Sequence, residues 1–256
     1  MQKISAVIIS FNEEKRIATC LASLQGVADE VLVMDAFSTD NTVGICRQFG
    51  AKVYQQAWAG FGKQKNDAVA KASYDMILSL DADEVITDEL ARSIIHLKKQ
   101  ACINNLYRVK RLNNYYGKFI RHGMENPDIK PRLYNRRFAK WNQSLVHEAL
   151  EYEGNAAPLL SGWLHHFTYN SIAEHQQKAD KYTSLAAEDY FKKGKPVPGF
   201  IKLVASPAFT FCKAYLLRAG FLDGWHGWIV AKMHANGVLL KYSKLKMMYY
   251  NQKNKV

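Results

Sequence analysis

The first hundred residues alternate between two hydrophobic patterns. Some stretches are short, continuous apolar runs, as in buried parallel strands, and others carry apolar residues at the spacing of an α-helix. Strands that alternate with helices predict an α/β fold with a mostly parallel central sheet. The predicted strands are Ile4–Ser10, Glu30–Met34, Lys52–Gln55 and Met76–Leu80, and the predicted helices are Asn12–Leu24, Thr39–Phe49, Lys63–Ala72 and Thr87–Lys99.

The pattern changes after residue 104. Between Asn105 and Phe167 the apolar segments are short and broken by Asn, Gly and Pro, which predicts antiparallel strands and loops that complete the sheet. From Ser171 the spacing becomes helical again, and the remaining chain predicts a C-terminal helical extension. The expected helices run from Ser171 to about Gly194, from Phe200 to Ala219 and from Trp225 to Tyr242.

Composition excludes several classes of protein. The chain has 256 residues, of which 48% are hydrophobic and 12% aromatic, so it is neither disordered nor too short for a core. Its four scattered cysteines predict reduced core residues of a cytosolic protein, and no export signal is visible. The uncharged run Leu203–Cys212 is shorter than the roughly 20 residues of a membrane span, so we expect no crossing.

The net charge of +12 is unevenly distributed. Residues 192–256 contain twelve Lys and Arg and a single acid, Asp223, which leaves residues 1–191 nearly neutral. Basic residues interleaved with aromatic ones predict helices that lie on an anionic cytoplasmic membrane surface. The alternative is that these helices only pack on the rest of the chain. Nucleic acid is not expected as a partner, because no helix-turn-helix, RNP or zinc signature is present.

Acidic residues collect where the predicted strands end. The segments Ser10–Glu14, Asp35–Asp40 and Asp81–Glu84 each follow a strand, and ligands of open α/β sheets bind beyond the carboxyl ends of the strands. Clustered carboxylates repel one another unless a cation or a hydroxyl-rich ligand is bound. Asp81 and Asp83 are spaced to hold one divalent ion, although an acidic helix N-terminus is the simpler alternative.

These segments form part of an ordered set of motifs. The chain resembles the inverting family 2 glycosyltransferases, which have the Rossmann-like GT-A fold, and within them the branch of lipopolysaccharide inner-core heptose β-1,4-glucosyltransferases. The resemblance implies a GT-A domain at 1–170, with a nucleotide-sugar half (1–104) and an acceptor half (105–170), followed by a basic helical region at 171–256. The motifs are Ser10–Glu14, Asp35–Asp40, Lys65-Asn66, Leu80–Glu84 and Val146–Glu148.

The resemblance also implies roles for single residues. Phe11 would pack on a uracil ring, and Glu13 and Asp35 would lie near the base and ribose. One position departs from the family motif, because Phe37 stands where Gly is frequent, and Phe disfavours the positive φ that Gly allows. The nucleotide-sugar-binding residues implied in this way are Phe11, Glu13, Asp35, Lys65, Asp81 and Ala82.

The family resemblance also implies a metal site and a general base. Asp81 and Asp83 would hold Mg²⁺ or Mn²⁺ on the diphosphate, and His166 is the candidate third ligand by its late position, with a structural histidine as the alternative. Glu148 would be the general base that deprotonates an acceptor hydroxyl while the anomeric carbon is inverted. An ordinary acid at a strand edge is the alternative for Glu148.

The acceptor is expected to be an anionic glycolipid or saccharide. Arg132, Arg136 and His147 are candidate acceptor-binding residues, because arginine suits phosphate and carboxylate groups, and solvated loop charges are the alternative. The expected reaction is transfer of a hexose, glucose by resemblance, from a UDP-sugar to a lipopolysaccharide inner core at the membrane. A nucleotidyltransferase and a non-catalytic scaffold are the alternatives. The former would carry a Gly-rich basic loop where Phe11–Glu14 is acidic.

Overall fold

The computed structural model describes residues 1–100, 104–142, 148–153 and 157–254. They form two compact units, the first from residues 1–112 and 128–166 and the second from residues 113–127 and 167 onward. The strands are β1 (Ile4–Ser10), β2 (Glu30–Asp35), β3 (Lys52–Gln55), β4 (Met76–Asp81), β5 (Glu84–Ile86), β6 (Leu106–Tyr115), β7 (Lys118–Phe119), β8 (Asp128–Asn135), β9 (Ala139–Trp141), β10 (Leu150–Tyr152) and β11 (Leu159–Tyr169). The α-helices are α1 (Ile17–Ser23), α2 (Thr42–Gln48), α3 (Phe61–Ala70), α4 (Asp88–Lys99), α5 (Ile172–Lys192), α6 (Phe200–Cys212) and α7 (Gly224–Lys253).

The main sheet has the order β3-β2-β1-β4-β8-β6-β11-β5. β1 to β4 run parallel, and β8, β6, β11 and β5 join by antiparallel pairing where the structure gives their partners. The predicted α/β fold with a C-terminal helical extension is therefore confirmed. The strand predicted at Met76–Leu80 extends one residue further, to Asp81, so this carboxylate belongs to the end of the strand itself.

The central strand β1 is buried on both faces, as its continuous apolar sequence requires. Ile4 and Ile8 belong to the core shared with α1 and α4, whereas Val7 and Ile9 belong to the core shared with α3. The helix predicted from Asn12 begins only at Ile17, because residues 12–16 form a turn that binds the loop after β2.

The start of α4 is fixed to β11. Thr87 caps α4 by accepting a hydrogen bond from the Leu90 amide, as predicted, and its hydroxyl bonds the Trp163 carbonyl at 2.8 Å. Gly162 has a φ of +94°, and a Cβ there would lie 2.3 Å from the Leu90 nitrogen. Only glycine allows this close approach, which sets the course of β11.

The second unit is mainly helical. The helix predicted at Phe200–Ala219 ends as an α-helix at Cys212 and continues as a π-helical turn over Lys213–Leu217. The last helix extends to Lys253 rather than Tyr242, since no proline interrupts the residues that follow. Asp223, which precedes α7, is buried and accepts hydrogen bonds from the Arg121 and His122 amides.

Two sequence expectations change in this unit. Phe200–Leu217 is the one helix in the described residues that is long and apolar enough to cross a membrane, with 18 residues and a mean hydropathy of 1.3. The uncharged run Leu203–Cys212 of the sequence is only part of this helical path, which continues to Leu217. Cys212 is exposed rather than in a core, while Cys20 and Cys46 are buried as predicted, and Cys102 lies outside the described residues.

Aromatic side chains surround the buried His175 in the second unit. Its ring stacks on Tyr169 at 3.9 Å between centroids, and its Nδ1 hydrogen-bonds the Tyr116 hydroxyl. Burial lowers the pKa of His175 to about 4, and the nearby charges of His234 and Lys178 act in the same direction. The neutral imidazole is therefore the form that the fold stabilises.

We predict that His175→Gln flattens the pH dependence of stability. Below pH 6.5 the unfolded chain protonates His175, whereas the folded chain does not until about pH 4. As the pH is lowered from 6.5 to about 4, this group alone should therefore decrease the free energy of unfolding by about 1.4 kcal/mol per pH unit. Urea unfolding at pH 7 and pH 5 measures the difference. An equal decrease in His175→Gln and in the exposed control His96→Gln would contradict the prediction.

Candidate active site

The register of the parallel strands brings the polar strand ends together. Ser10 of β1 lies beside Asp35 of β2, and Ile9 lies beside Asp81 of β4. The carboxyl ends of these three strands therefore form one edge, where α/β folds bind their ligands. The sequence prediction that these side chains share an edge holds for Asp35 and Asp81.

Asp81 lies between two basic side chains. Lys65 Nζ is 3.1 Å from Oδ1, and the Arg132 guanidinium is 2.9 Å from Oδ2. Burial acts to raise the pKa of Asp81, but the charges of Lys65 and Arg132 outweigh it and hold this pKa well below its usual range. Asp81 is consequently an ionised carboxylate with both oxygens in ion pairs.

Lys65 also connects Asp81 to Glu148. Its ammonium group is 3.5 Å from Glu148 Oε1 and 4.4 Å from the ring centroid of Trp141, and the side chain is only 2% exposed. Asn66 fixes the same tryptophan, because its amide group exchanges hydrogen bonds of 2.7 and 3.1 Å with the Trp141 backbone. The Lys65-Asn66 pair thus positions the cation against both carboxylates.

Glu84 is fully buried just after the Asp81-Ala82-Asp83 segment. It accepts hydrogen bonds from Arg132 and Arg111 and from the Asp81 amide, at 3.3 Å for Arg111 and 3.1 Å for the amide. The Glu84 and Asp81 charges raise the pKa of Arg132 despite its burial. A carboxylate without solvent is stable only when it is paired in this way, so Glu84 fixes the turn that carries Asp83.

Asp83 lies next to His166. β5 pairs antiparallel with β11 so that Glu84 lies opposite His166, which brings His166 Nε2 to 3.4 Å from Asp83 Oδ2. Arg16 is 3.9 Å from Asp83 and 3.8 Å from Glu13. Burial acts to raise the pKa of Asp83, but the hydrogen bond from His166 outweighs it and the pKa is lowered.

The chemistry of this pair fits a divalent cation. A carboxylate oxygen and an imidazole nitrogen at 3.4 Å are compatible with ligands of one Mg²⁺ or Mn²⁺ ion. Within the described residues, no group of three or more His, Cys, Asp or Glu side chains is placed to hold a metal ion. Asp81 contributes less directly, because Lys65 and Arg132 already occupy its oxygens.

The Asp35 carboxylate organises the loop after β2. It is fully buried and accepts hydrogen bonds from Ser10 at 3.0 Å, from the Ser38 amide at 2.8 Å and from Gln55 at 3.2 Å. Phe37 adopts a φ of +59° within this loop, so the left-handed conformation is present although Gly is absent. The rings of Phe37 and Phe11 are 54% and 55% exposed.

The remaining predicted residues lie in different places. Ala82 is buried between the two aspartates, and Arg132 contacts protein carboxylates. Arg136 does not join this group, because it bonds Asp75 at the opposite end of β4. His147 lies outside the described residues.

Sequence reasoning missed three contributors: Trp141, Arg111 and the anchoring function of Glu84. The Glu84 carboxylate was visible only as part of an acidic segment. No sequence signal connects Trp141 or Arg111 to the strand ends, because both reach the site through strands from the second half of the unit.

The arrangement joins an ionised carboxylate network to a second carboxylate that solvent can reach. Glu148 is 26% exposed and held by Lys65 beside Asp81. Such a group can accept a proton from a hydroxyl, while the Asp83–His166 pair can hold a cation on a phosphate. These features are those of an enzyme that transfers a group onto a hydroxyl.

Comparison with known proteins agrees with this class. A sequence profile described as glycosyl transferase family 2 matches residues 5–150, more than half of the chain. The chain therefore belongs to glycosyl transferase family 2, and it is a glycosyltransferase. The profile ends just after Glu148 and so includes every motif in which the resemblance was recognised.

Relatives that align over nearly all of this chain are also named glycosyltransferases. An uncharacterised glycosyltransferase of Rickettsia typhi is 31% identical over 99% of this chain and 90% of its own length. The lipopolysaccharide core biosynthesis glycosyltransferase LpsC of Rhizobium meliloti is 28% identical over 94% of this chain and 91% of its length. The structure of Staphylococcus aureus TarS with UDP-GlcNAc aligns with a TM-score of 0.49 and 15% identity, over 98% of this chain and 92% of that one.

We predict that Lys65→Met destabilises the protein and slows turnover. Removing a buried ammonium leaves Asp81 and Glu148 without their shared partner, which costs about 3 kcal/mol of unfolding free energy. Loss of the same oriented charge should lower kcat about 10²-fold. Lys63→Met is the matched control, because Lys63 is half-exposed and, among the described residues, has Asp67 as its one ion-pair partner. Similar unfolding midpoints for the two variants would contradict the prediction.

Proposed function

We propose that this protein transfers a hexose, glucose by family resemblance, from a UDP-sugar to a lipopolysaccharide inner core or a similar anionic glycolipid, with inversion at the anomeric carbon. The single observation that carries the proposal is the Asp81–Lys65–Glu148 link at the carboxyl edge of the parallel strands. It joins the end of a nucleotide-binding strand to a solvent-accessible base within one compact unit.

The base acts on the acceptor. Lys65 orients the Glu148 carboxylate, so that Glu148 removes the proton of the attacking acceptor hydroxyl as the bond to the anomeric carbon forms. The sugar–phosphate bond breaks on the opposite face, and UDP leaves. This geometry gives inversion in a single displacement.

The donor half provides binding rather than chemistry. The exposed rings of Phe11 and Phe37 offer stacking surface for a uracil base, and Glu13 and the buried Asp35 lie in or beside the loops that carry them. Asp83 and His166 would hold Mg²⁺ or Mn²⁺, which when bound offsets the negative charge that develops on the departing diphosphate.

The C-terminal helices bind the enzyme to the membrane surface. Phe200, Ile201 and Trp225 are 75%, 80% and 63% exposed in a region with eleven more basic than acidic residues. Such a surface lies in the interface of an anionic membrane, and we place the enzyme peripherally on the cytoplasmic face, where a lipid-linked acceptor is reached. The name of the Rhizobium meliloti relative, which refers to lipopolysaccharide core biosynthesis, supports this acceptor class.

We predict that Glu148→Gln greatly slows transfer but preserves donor binding. Loss of the proton acceptor should lower kcat about 10²–10⁴-fold, and the dissociation constant of the UDP-sugar should stay unchanged. UDP release is measured with UDP-glucose and UDP-galactose and with a lipopolysaccharide core acceptor. The exposed Glu151→Gln serves as the matched control. Unchanged turnover in Glu148→Gln would remove Glu148 as the base.

We predict that Asp83→Asn weakens Mn²⁺ binding in the presence of UDP. Loss of a charged ligand should raise the Mn²⁺ dissociation constant at least about tenfold, since even outer-shell changes cost that much. Titration calorimetry measures binding, and EDTA treatment of the unaltered protein should stop UDP release. Asp88→Asn, at an exposed position on α4, is the control. Equal Mn²⁺ affinity in both variants would show that Asp83 is not a ligand.

A further inference from the structure

A groove of about 380 Å³ lies between α6 and α7 in the second unit. Phe209 of α6 and Val238 of α7 line it, together with the small side chains of Ser206 and Thr210. Lys241 and Tyr242 lie in its wall, one turn of α7 beyond Val238. A lysine and a tyrosine therefore lie at one end of the groove, beyond Val238.

A second lysine reaches the same end. Lys202 precedes Ser206 by one helical turn and so extends the α6 side of the groove. Its ammonium group lies 5.0 Å from the Tyr242 ring centroid, and that of Lys241 lies 4.7 Å from it. Both ammonium groups thus contact the Tyr242 ring, and that of Lys241 also lies 4.8 Å from the Tyr190 ring centroid.

These two charges are not neutralised by carboxylates. In the described parts of the chain neither Lys202 nor Lys241 forms an ion pair, although Lys193 and Lys244 of the same unit each have an aspartate partner. Cation–π contacts with aromatic rings orient the two ammonium groups but supply no negative charge. An anion with two negative charges would complement them.

The surroundings of this end are apolar. Phe200, Ile201 and Val204 of α6 are 75%, 80% and 57% exposed, and Phe209 in the groove is 62% exposed. A free inorganic anion would gain nothing from these side chains. An amphiphile would place its charged group at the lysines and its hydrocarbon along Phe209 and Val238.

We propose that this groove binds a lipid that carries a phosphate monoester, with Lys202 and Lys241 on the phosphate. A phosphate monoester has nearly two negative charges at neutral pH, which matches the two ammonium groups, whereas a diester has one. The proposal deepens the membrane docking described under the proposed function, and it does not depend on glycosyl transfer.

Vesicle binding by the full-length protein tests the site. Phosphatidylcholine vesicles that contain phosphatidic acid, a monoester, are compared with vesicles that contain phosphatidylglycerol, a diester, at matched surface potential. We expect phosphatidic acid to be preferred about tenfold, because charge-assisted hydrogen bonds favour the dianion. Lys202→Gln/Lys241→Gln should abolish this preference.

The matched control removes the same charge elsewhere. Lys192 and Lys253 are exposed lysines of α5 and α7, and Lys192→Gln/Lys253→Gln should bind both vesicles more weakly but keep the preference. Val238→Trp fills the groove without changing charge and should also abolish the preference. Melting curves recorded by circular dichroism confirm that each variant is folded.

Three results would overturn the proposal. They are an equal affinity of the unaltered protein for the two vesicles, a preference that survives Lys202→Gln/Lys241→Gln, and displacement from phosphatidic acid vesicles by inorganic phosphate at a concentration that leaves the surface potential unchanged. Failure to bind any vesicle would also overturn membrane docking. UDP release with a water-soluble core acceptor, measured in parallel, reports on the glycosyltransferase separately.

Discussion

The candidate site depends on one buried ion pair, that of Arg132 with Glu84. Both side chains are almost without solvent, so neither charge is stable alone, and each fixes the other. Glu84 in turn holds the Asp81 amide, and Arg132 holds the Asp81 carboxylate. Because Glu84 also begins β5, the strand that pairs with β11, the same contact determines where His166 meets Asp83.

This pairing changes the meaning of the acidic cluster. Carboxylates that collect at a sheet edge require positive charge, and the sequence alone favoured a bound metal or a sugar as the reason. The structure shows that the chain supplies much of that charge itself, through Lys65 and Arg132 at Asp81 and through Arg16 near Asp83. Asp83 with His166 is consequently the better candidate for a metal than Asp81.

The sequence was sufficient for the features that depend on local pattern. The strands and the Thr87 cap were predictable, because hydrophobic period and capping chemistry depend on neighbouring residues. The family was predictable because the ordered motifs resemble those of its members. The contacts across the site were not. Trp141 and Arg111 reach it through sheet pairing and strand direction, and Arg136 lies at the far end of β4 for the same reason. Such placement follows from tertiary register, which a single sequence does not encode locally.

The loop after β2 contains an unfavourable backbone conformation at the site. A left-handed phenylalanine costs on the order of 1 kcal/mol, yet Phe37 adopts that conformation and leaves its ring half-exposed. Burial of the half-exposed ring does not offset this strain. The left-handed conformation is therefore explained by contacts of the backbone. The Ser38 amide and hydroxyl both bond the buried Asp35, and these two contacts hold the backbone that carries Phe37. The position of the exposed ring therefore depends on the Asp35 carboxylate, which acts through the backbone of the loop.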